Sequence, residues 1–300
     1  MRDFDLQKIR DAYERGENVT KLLREEGSKI NSLEAIEIAY DLQAGSYVRA
    51  ALEDLPGFLR RTKEMGEILR SHVSFMDVVI DCGAGELTTL SGMSGFMPEN
   101  ITLQAFDLSL SRLNVGLRFA SRAMRSDLWA GLNVFAASMD RIPLPEASVD
   151  IVMSSHALEP NFGRELDLLK EMLRVCRKKL VLFEPSFEDN SDEGKQRMID
   201  LGYVRNLPDH IEAAGGRLIE KFPLRNVANR LNPTFCYVVE KIDARGAVDA
   251  LETRFQCPIT GHALERRQGY LWSKGGGYAY PIINKIPLLR AKDSILMCHE

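Results

Sequence analysis

The 300 residues specify an α/β fold: a doubly wound, mostly parallel sheet of seven strands, with helices ahead of it and a small β module behind it. From about residue 77, short apolar runs rich in β-branched residues alternate with amphipathic segments, as strands covered on both faces by helices require. Before that point apolar residues recur at helical spacing, and beyond about residue 250 short strand-like runs stand between glycines. These changes of pattern divide the chain into residues 1–73, 74–243 and 250–295, with a break over 243–249.

In the first segment, Asn31 followed by Glu34 reads as a capping box for a helix carrying Leu33, Ile36, Ala39 and Leu42 on one face. Pro56 then sits where a first helical turn tolerates it, ahead of the stripe Phe58, Leu59, Thr62, Met65, Ile68 and Leu69. Strands are expected at Asp77–Asp81, Ile101–Asp107, Asn133–Ala136, Val149–Ser154 and Leu180–Glu184, the last two separated by a helix marked by Leu166, Leu169, Met172, Leu173 and Cys176. A helical stretch over 193–214 leads to Arg217–Phe222 and Phe235–Lys241, which suit a terminal hairpin. The tail carries Tyr270–Ser273, Gly275–Gly277, Tyr280–Ile283 and Ile286–Leu289, a module too small to be stable without packing on its neighbour.

Composition narrows the function classes. With 45% hydrophobic and 27% charged residues the chain has enough apolar side chain to fold. A formal charge of −4 provides no global basic field for nucleic acid or an anionic membrane. No apolar run approaches the roughly 20 residues that span a bilayer. Met1–Asp5 mixes charges at once, so neither a signal peptide nor a transit peptide is expected. The five scattered cysteines, Cys82, Cys176, Cys236, Cys257 and Cys298, read as reduced thiols of a cytoplasmic protein.

The most informative stretch is Val78-Val79-Ile80-Asp81-Cys82-Gly83-Ala84-Gly85-Glu86, a buried strand running into a glycine turn. Such a turn lets backbone approach a ligand at the carboxyl end of a parallel strand, so a nucleotide site is expected there. A dinucleotide fingerprint would need a third glycine where Thr88 stands. Asp81 and Glu86 bracket the turn instead; two carboxylates repel a pyrophosphate but suit a ligand bearing an ammonium and a sulfonium, which is S-adenosylmethionine. Asp107 closes the next strand about 20 residues on, where an acid accepts hydrogen bonds from ribose hydroxyls; the competing reading makes it a cap for the helix starting near Ser109.

Taken together these residues resemble the Rossmann-like, class I family of S-adenosylmethionine-dependent methyltransferases over about residues 75–242. Asp81 to Gly85 is similar to the family's first motif, and Asp107-Leu108-Ser109 to its ribose-binding acid followed by an apolar residue against adenine. Ser138 to Pro145 with Ala147 to Val152, and Leu173 to Cys176 with Leu182 to Pro185, resemble the motifs further on. The resemblance implies cofactor contacts from Asp81, Gly83, Gly85, Asp107, Leu108, Ser138 and Met139, with Ser154 at the end of the fourth strand. It also implies that the N-terminal helices cover the cofactor, with Gln43 and Tyr47 touching it, although packing accounts for these two almost as well. Ser138 departs from the pattern: family members often carry an acid there for the adenine amino group, and Asp140 is the substitute at hand.

Methyl transfer to a hydroxyl or a protonated amine needs proton removal, and the candidates lie at the carboxyl edge of the sheet: His156, Glu159 and Glu184. The plainer alternatives are a packed ring for His156 and helix caps for the two acids. In the tail, Phe255 to Leu264, Tyr278 to Ile282 and Lys285 to Leu289 resemble a small zinc-ribbon-like domain known as the activator subunit of certain methyltransferases. Cys257 has Thr260 where a partner cysteine would fall, so no metal is expected. The module is expected to pack on the methyltransferase domain or to help form a homodimer. The function that follows is methyl transfer to an O- or N-centre of a small molecule such as a sugar, lipid precursor or secondary metabolite, with no membrane or nucleic-acid partner. An RNA or protein methyltransferase, and a non-catalytic S-adenosylmethionine-binding regulator, stand as alternatives.

Overall fold

A computed structural model describes residues 5–24, 27–242 and 254–299. The helices of the first segment are α1 (Leu6–Glu14), α2 (Val19–Leu22), α3 (Leu33–Leu42), α4 (Ser46–Glu53) and α5 (Leu55–Arg70). The central domain runs β1 (Val78–Cys82), α6 (Thr88–Met93), β2 (Thr102–Asp107), α7 (Leu110–Ala123), α8 (Ser126–Gly131), β3 (Asn133–Ala136), β4 (Val149–Ser155), α9 (Glu165–Val175), β5 (Cys176–Pro185), α10 (Asp192–Leu201), α11 (Leu207–Ala213), β6 (Gly216–Pro223) and β7 (Thr234–Lys241). The tail folds as β8 (Glu265–Arg267), β9 (Tyr270–Ser273), β10 (Tyr278–Ile283), β11 (Ile286–Pro287) and β12 (Ile295–Leu296).

The seven strands lie in the order β3-β2-β1-β4-β5-β7-β6, the first five parallel and β7 antiparallel to both its neighbours. Every residue of β1 is buried, because the strand has a core on each face. Ile80 and Phe106 belong to one apolar cluster, Val79 and Ala105 to the other, as the period of two dictates. The winding reverses between β1 and β4, and that switch opens a crevice beyond the carboxyl ends of β1, β2 and β4.

Two local readings change. Ser32, rather than Asn31, caps α3, its hydroxyl accepting from the Ala35 amide at 3.1 Å. The buried Asn31 amide instead donates to the carbonyls of Pro160 and Leu201, so the residue tethers the helical segment to the central domain. The helical stretch 193–214 divides into α10 and α11, because Gly202 and Asn206 take left-handed backbone and Pro208 lies at the start of a new helix.

The tail forms a small antiparallel sheet that docks on the edge of β3. Leu288 bridges Ala136 in parallel register, the Leu289 amide donates to the Ala136 carbonyl at 2.7 Å, and Phe255 meets Phe135 edge-on at 5.0 Å. Phe255, Tyr280 and Leu289 thus join the same cluster as Phe106 and Phe135. The expected break at 243–249 lies outside the described residues. Among the described residues no helix is long and apolar enough to cross a membrane.

Candidate active site

After β1 the chain turns through Gly83 (φ +79°) and Gly85 (φ +55°), with the amides of Gly83 and Ala84 both donating to the Phe106 carbonyl at 2.9 Å. A side chain at Gly83 would stand 2.4 Å from Ala157 Cβ, so the turns after β1 and β4 touch only because glycine is there. The Asp107 carboxylate locks the turn from β2: Oδ2 accepts from the Gly85 amide and Oδ1 from the Ser109 amide, both at 2.8 Å. Four lone-pair directions and two amide donors leave capacity for a ligand's hydroxyls.

Asp81 is buried, and its Oδ1 has no hydrogen-bond partner. Burial, with the charges of Asp107 and Glu184 added, pushes its carboxyl up to about 7. An orphaned carboxylate beside a glycine turn is the electrostatic complement of a cationic ligand. Glu86, read in the sequence as the second charge at the ligand, does something else. Its carboxylate accepts from the amides of Gly45 (2.9 Å), Tyr47 (3.4 Å) and Val48 (2.8 Å), capping α4, whose own N-cap glycine has no side chain to do so.

One cleft runs past these groups. Gly83, Asp107 and Leu108 line it beside Ser138 and Met139 of the loop after β3. Leu33, Ile36 and Tyr40 of α3 and Tyr47 of α4 roof it, and Ser155, His156, Asn161 and Arg164 form the far wall. The Ser138 hydroxyl donates to Asp140 at 3.0 Å, and Asp140 pairs with Arg164, so the polar corner near Met139 is already ordered.

His156 adopts left-handed backbone (φ +53°) directly after β4, which presents its ring to the cleft. Nδ1 lies 2.6 Å from Glu159 and Nε2 2.7 Å from the Thr234 hydroxyl; Asn232 donates to the same Glu159 oxygen at 3.0 Å. Burial alone would depress the imidazole pKa, but the charge and hydrogen bond of Glu159, with Glu184 nearby, outweigh it and hold the ring above its ordinary value. The Glu159 carboxyl, despite burial, is held below its ordinary value by His156, Asn232 and Tyr203. Glu184 sits deeper, one oxygen accepting from Ser154 Oγ (2.7 Å) and from the amides of Ala157 (3.0 Å) and Leu158 (3.1 Å), the other unpartnered. Burial raises it to about 7.

Of the residues named from the sequence, Gly83, Asp107, Leu108, Ser138, Met139, Tyr47 and His156 line this cleft together. Asp81, Gly85, Ser154, Glu159 and Glu184 stand behind it, bonded to or charge-coupled with the lining. Gln43 ends α3 with its carbonyl accepting from Ser46, apart from the cleft lining. Arg112, Arg164 and Thr234 were not singled out. Arg112 lies five residues past Asp107 in the first turn of the helix that follows, a short-range relation, whereas nothing in the sequence links Thr234 to a histidine 78 positions earlier.

Residues 80–183 match the family model described as a methyltransferase domain. No curated protein matches the chain in sequence. Among solved structures, the complex of the Haloferax volcanii Trm112 methyltransferase activator with a putative methyltransferase is similar over 68% of this chain and 98% of that one, at 18% identity and TM-score 0.52. An S-adenosylmethionine-dependent methyltransferase from Aquifex aeolicus aligns over 60% of this chain and 93% of its own, at 16% identity and TM-score 0.44. Magnesium protoporphyrin IX methyltransferase from Synechocystis aligns over 79% and 100%, at 10% identity and TM-score 0.48. The glycine turn, the strand-ending acid and the reversal of winding all fall within the region that matches the methyltransferase domain.

Proposed function

We propose that the cleft takes S-adenosylmethionine along its β1–β2–β3 side and a small molecule on its β4 side, and that the methyl group passes to an O- or N-centre of that molecule. The observation that carries this reading is the single cleft in which Gly83, Asp107 and Met139 share walls with His156. The sulfonium of the cofactor supplies an activated methyl group, so the protein's task is to align the acceptor and take up its proton. Asp107 has lone pairs left for ribose hydroxyls, Leu108 and Met139 offer apolar faces to a purine, and Asp81 favours positive charge at the turn. His156 Nε2 is the ring nitrogen available for exchange. It must release Thr234, or move the proton through that hydroxyl, while Glu159 keeps Nδ1 as the donor.

The roof of α3 and α4 and the net charge of −4 favour a small acceptor over a duplex or a folded partner. The test uses S-adenosylmethionine labelled in its methyl group, incubated with fractionated cell extract. Label is expected in low-mass metabolites. Label in RNA or protein would replace the acceptor class, and cofactor binding without transfer to any fraction would point to a regulator. Calorimetry with Asp107→Ala should show cofactor binding weakened by about 1 to 3 kcal/mol, and unchanged affinity would remove the ribose role.

A further inference from the structure

We propose that Arg112 is the carboxylate-binding residue of the cofactor site, gripping the α-carboxylate at the methionyl end of S-adenosylmethionine; this rests on the reading of the cleft given above. Arg112 occupies the first turn of α7, and its side chain is only 10% exposed. The guanidinium is held between two rings of the roof, 5.0 Å from the centroid of Tyr40 and 4.7 Å from that of Tyr47. Stacking of this kind fixes the plane of the fork and leaves its edge free to donate.

That edge is unsatisfied. Nε has no hydrogen-bond partner, and the nearest anion, Asp107 Oδ2, lies 3.8 Å from Nη1, beyond hydrogen-bond reach. Both Asp107 oxygens are oriented by amides, of Gly85 and Ser109, and neither bonds to the fork. A guanidinium carries five donors, and a fold rarely buries such a group without acceptors unless a ligand brings them.

Its position says what the ligand brings. Nη2 lies 2.3 Å from where a Cβ on Gly85 would stand, so the fork rests against the glycine turn and any side chain there would displace it. Arg112 also lines the same cleft as Gly83 and Asp107. A planar, bidentate donor suits a carboxylate, and the acids Asp81 and Asp107 close by suit an ammonium. An amino-acid zwitterion carries both groups on adjacent atoms, whereas a pyrophosphate would meet the fork but be repelled by the two acids.

The test compares three probes by calorimetry on the full chain: S-adenosylmethionine, its decarboxylated analogue and 5′-methylthioadenosine, which lacks the amino-acid end. The native protein should prefer S-adenosylmethionine over the decarboxylated analogue by about 10- to 100-fold, the range of a charge-assisted hydrogen-bonded pair. In Arg112→Met that preference should fall to about threefold or less while 5′-methylthioadenosine binds as before, and Arg112→Lys should retain part of it. A native protein indifferent to the carboxylate overturns the proposal without needing any variant, as does an Arg112→Met protein that keeps the full preference. If the native protein binds neither S-adenosylmethionine nor 5′-methylthioadenosine, the reading of the cleft itself fails and takes this assignment with it.

Discussion

His156 shows how position and partner set the chemistry of one side chain. Burial argues for a neutral ring and Glu159 argues for a charged one, and the anion wins. By proton NMR the ring should therefore titrate above the ordinary histidine value, and lower in Glu159→Gln, where only Glu184 is left to oppose burial. A midpoint unmoved by that substitution would separate the two residues. A proton acceptor works only when deprotonated, so on the proposed role of His156 the acid limb of methyl transfer should follow the same midpoint and shift downward with it. Asp81 gives a second pH effect of its own. With its carboxyl at about 7, the residue is mostly neutral at pH 6 and mostly ionised at pH 8, and a cationic ligand favours the ionised form. Affinity for S-adenosylmethionine should rise through this window with net proton release, read by calorimetry in buffers of different ionisation heat. Asp81→Asn should flatten the slope, and a slope equal to that of the native protein would assign the proton to another group. Asp107 was legible as an acid of the cleft lining because its place at the end of a strand follows from spacing along one strand–helix–strand unit. Glu86 was misread because its partners, the amides of Gly45 and Val48, come from a helix about 40 positions earlier.

At the level of elements, the strands were readable because five of them are buried on both faces over most of their length and therefore appear as largely apolar runs. The roof was harder to read: Ser32 caps α3 locally, but α4 is held by a tertiary cap that no local pattern announces. Glu86 is the clearest case: the N-terminal amides of α4 have no side-chain acceptor within their own segment. Glu86→Ala should lower global stability by about 1 to 2 kcal/mol in a denaturant titration, the cost of losing a cap. Because Tyr47 begins at that cap and lines the cleft, cofactor affinity should fall as well, although Glu86 is not part of the cleft lining. An unfolding midpoint equal to the native one would mean that α4 is ordered by packing alone.

Across the whole molecule, the tail and the cofactor cleft are one mechanical unit. Arg290, following β11, is 10% exposed at its side chain and donates to Glu37 of α3 at 2.8 Å and to the Leu108 carbonyl at 2.7 Å, while Asp293 holds its other edge at 2.5 Å. Lys292 reinforces the link to Glu37. Glu37 and Leu108 both line the cleft, so the tail spans its roof and its floor with one side chain. The shared cluster of Phe255, Tyr280, Phe135 and Phe106 makes the same connection through apolar contact. Arg290→Met keeps much of the side-chain volume but leaves Asp293 unpaired and Glu37 with only the more exposed Lys292, so the cost should stay below the roughly 3 kcal/mol of a fully broken buried pair. Thermal unfolding of the variant should shift downward as a single transition, because the two sheets share their core, and S-adenosylmethionine should bind more weakly as Leu108 loses its tether. If a separate early transition appears, with cofactor affinity intact, the tail is an appended module rather than part of the site's frame.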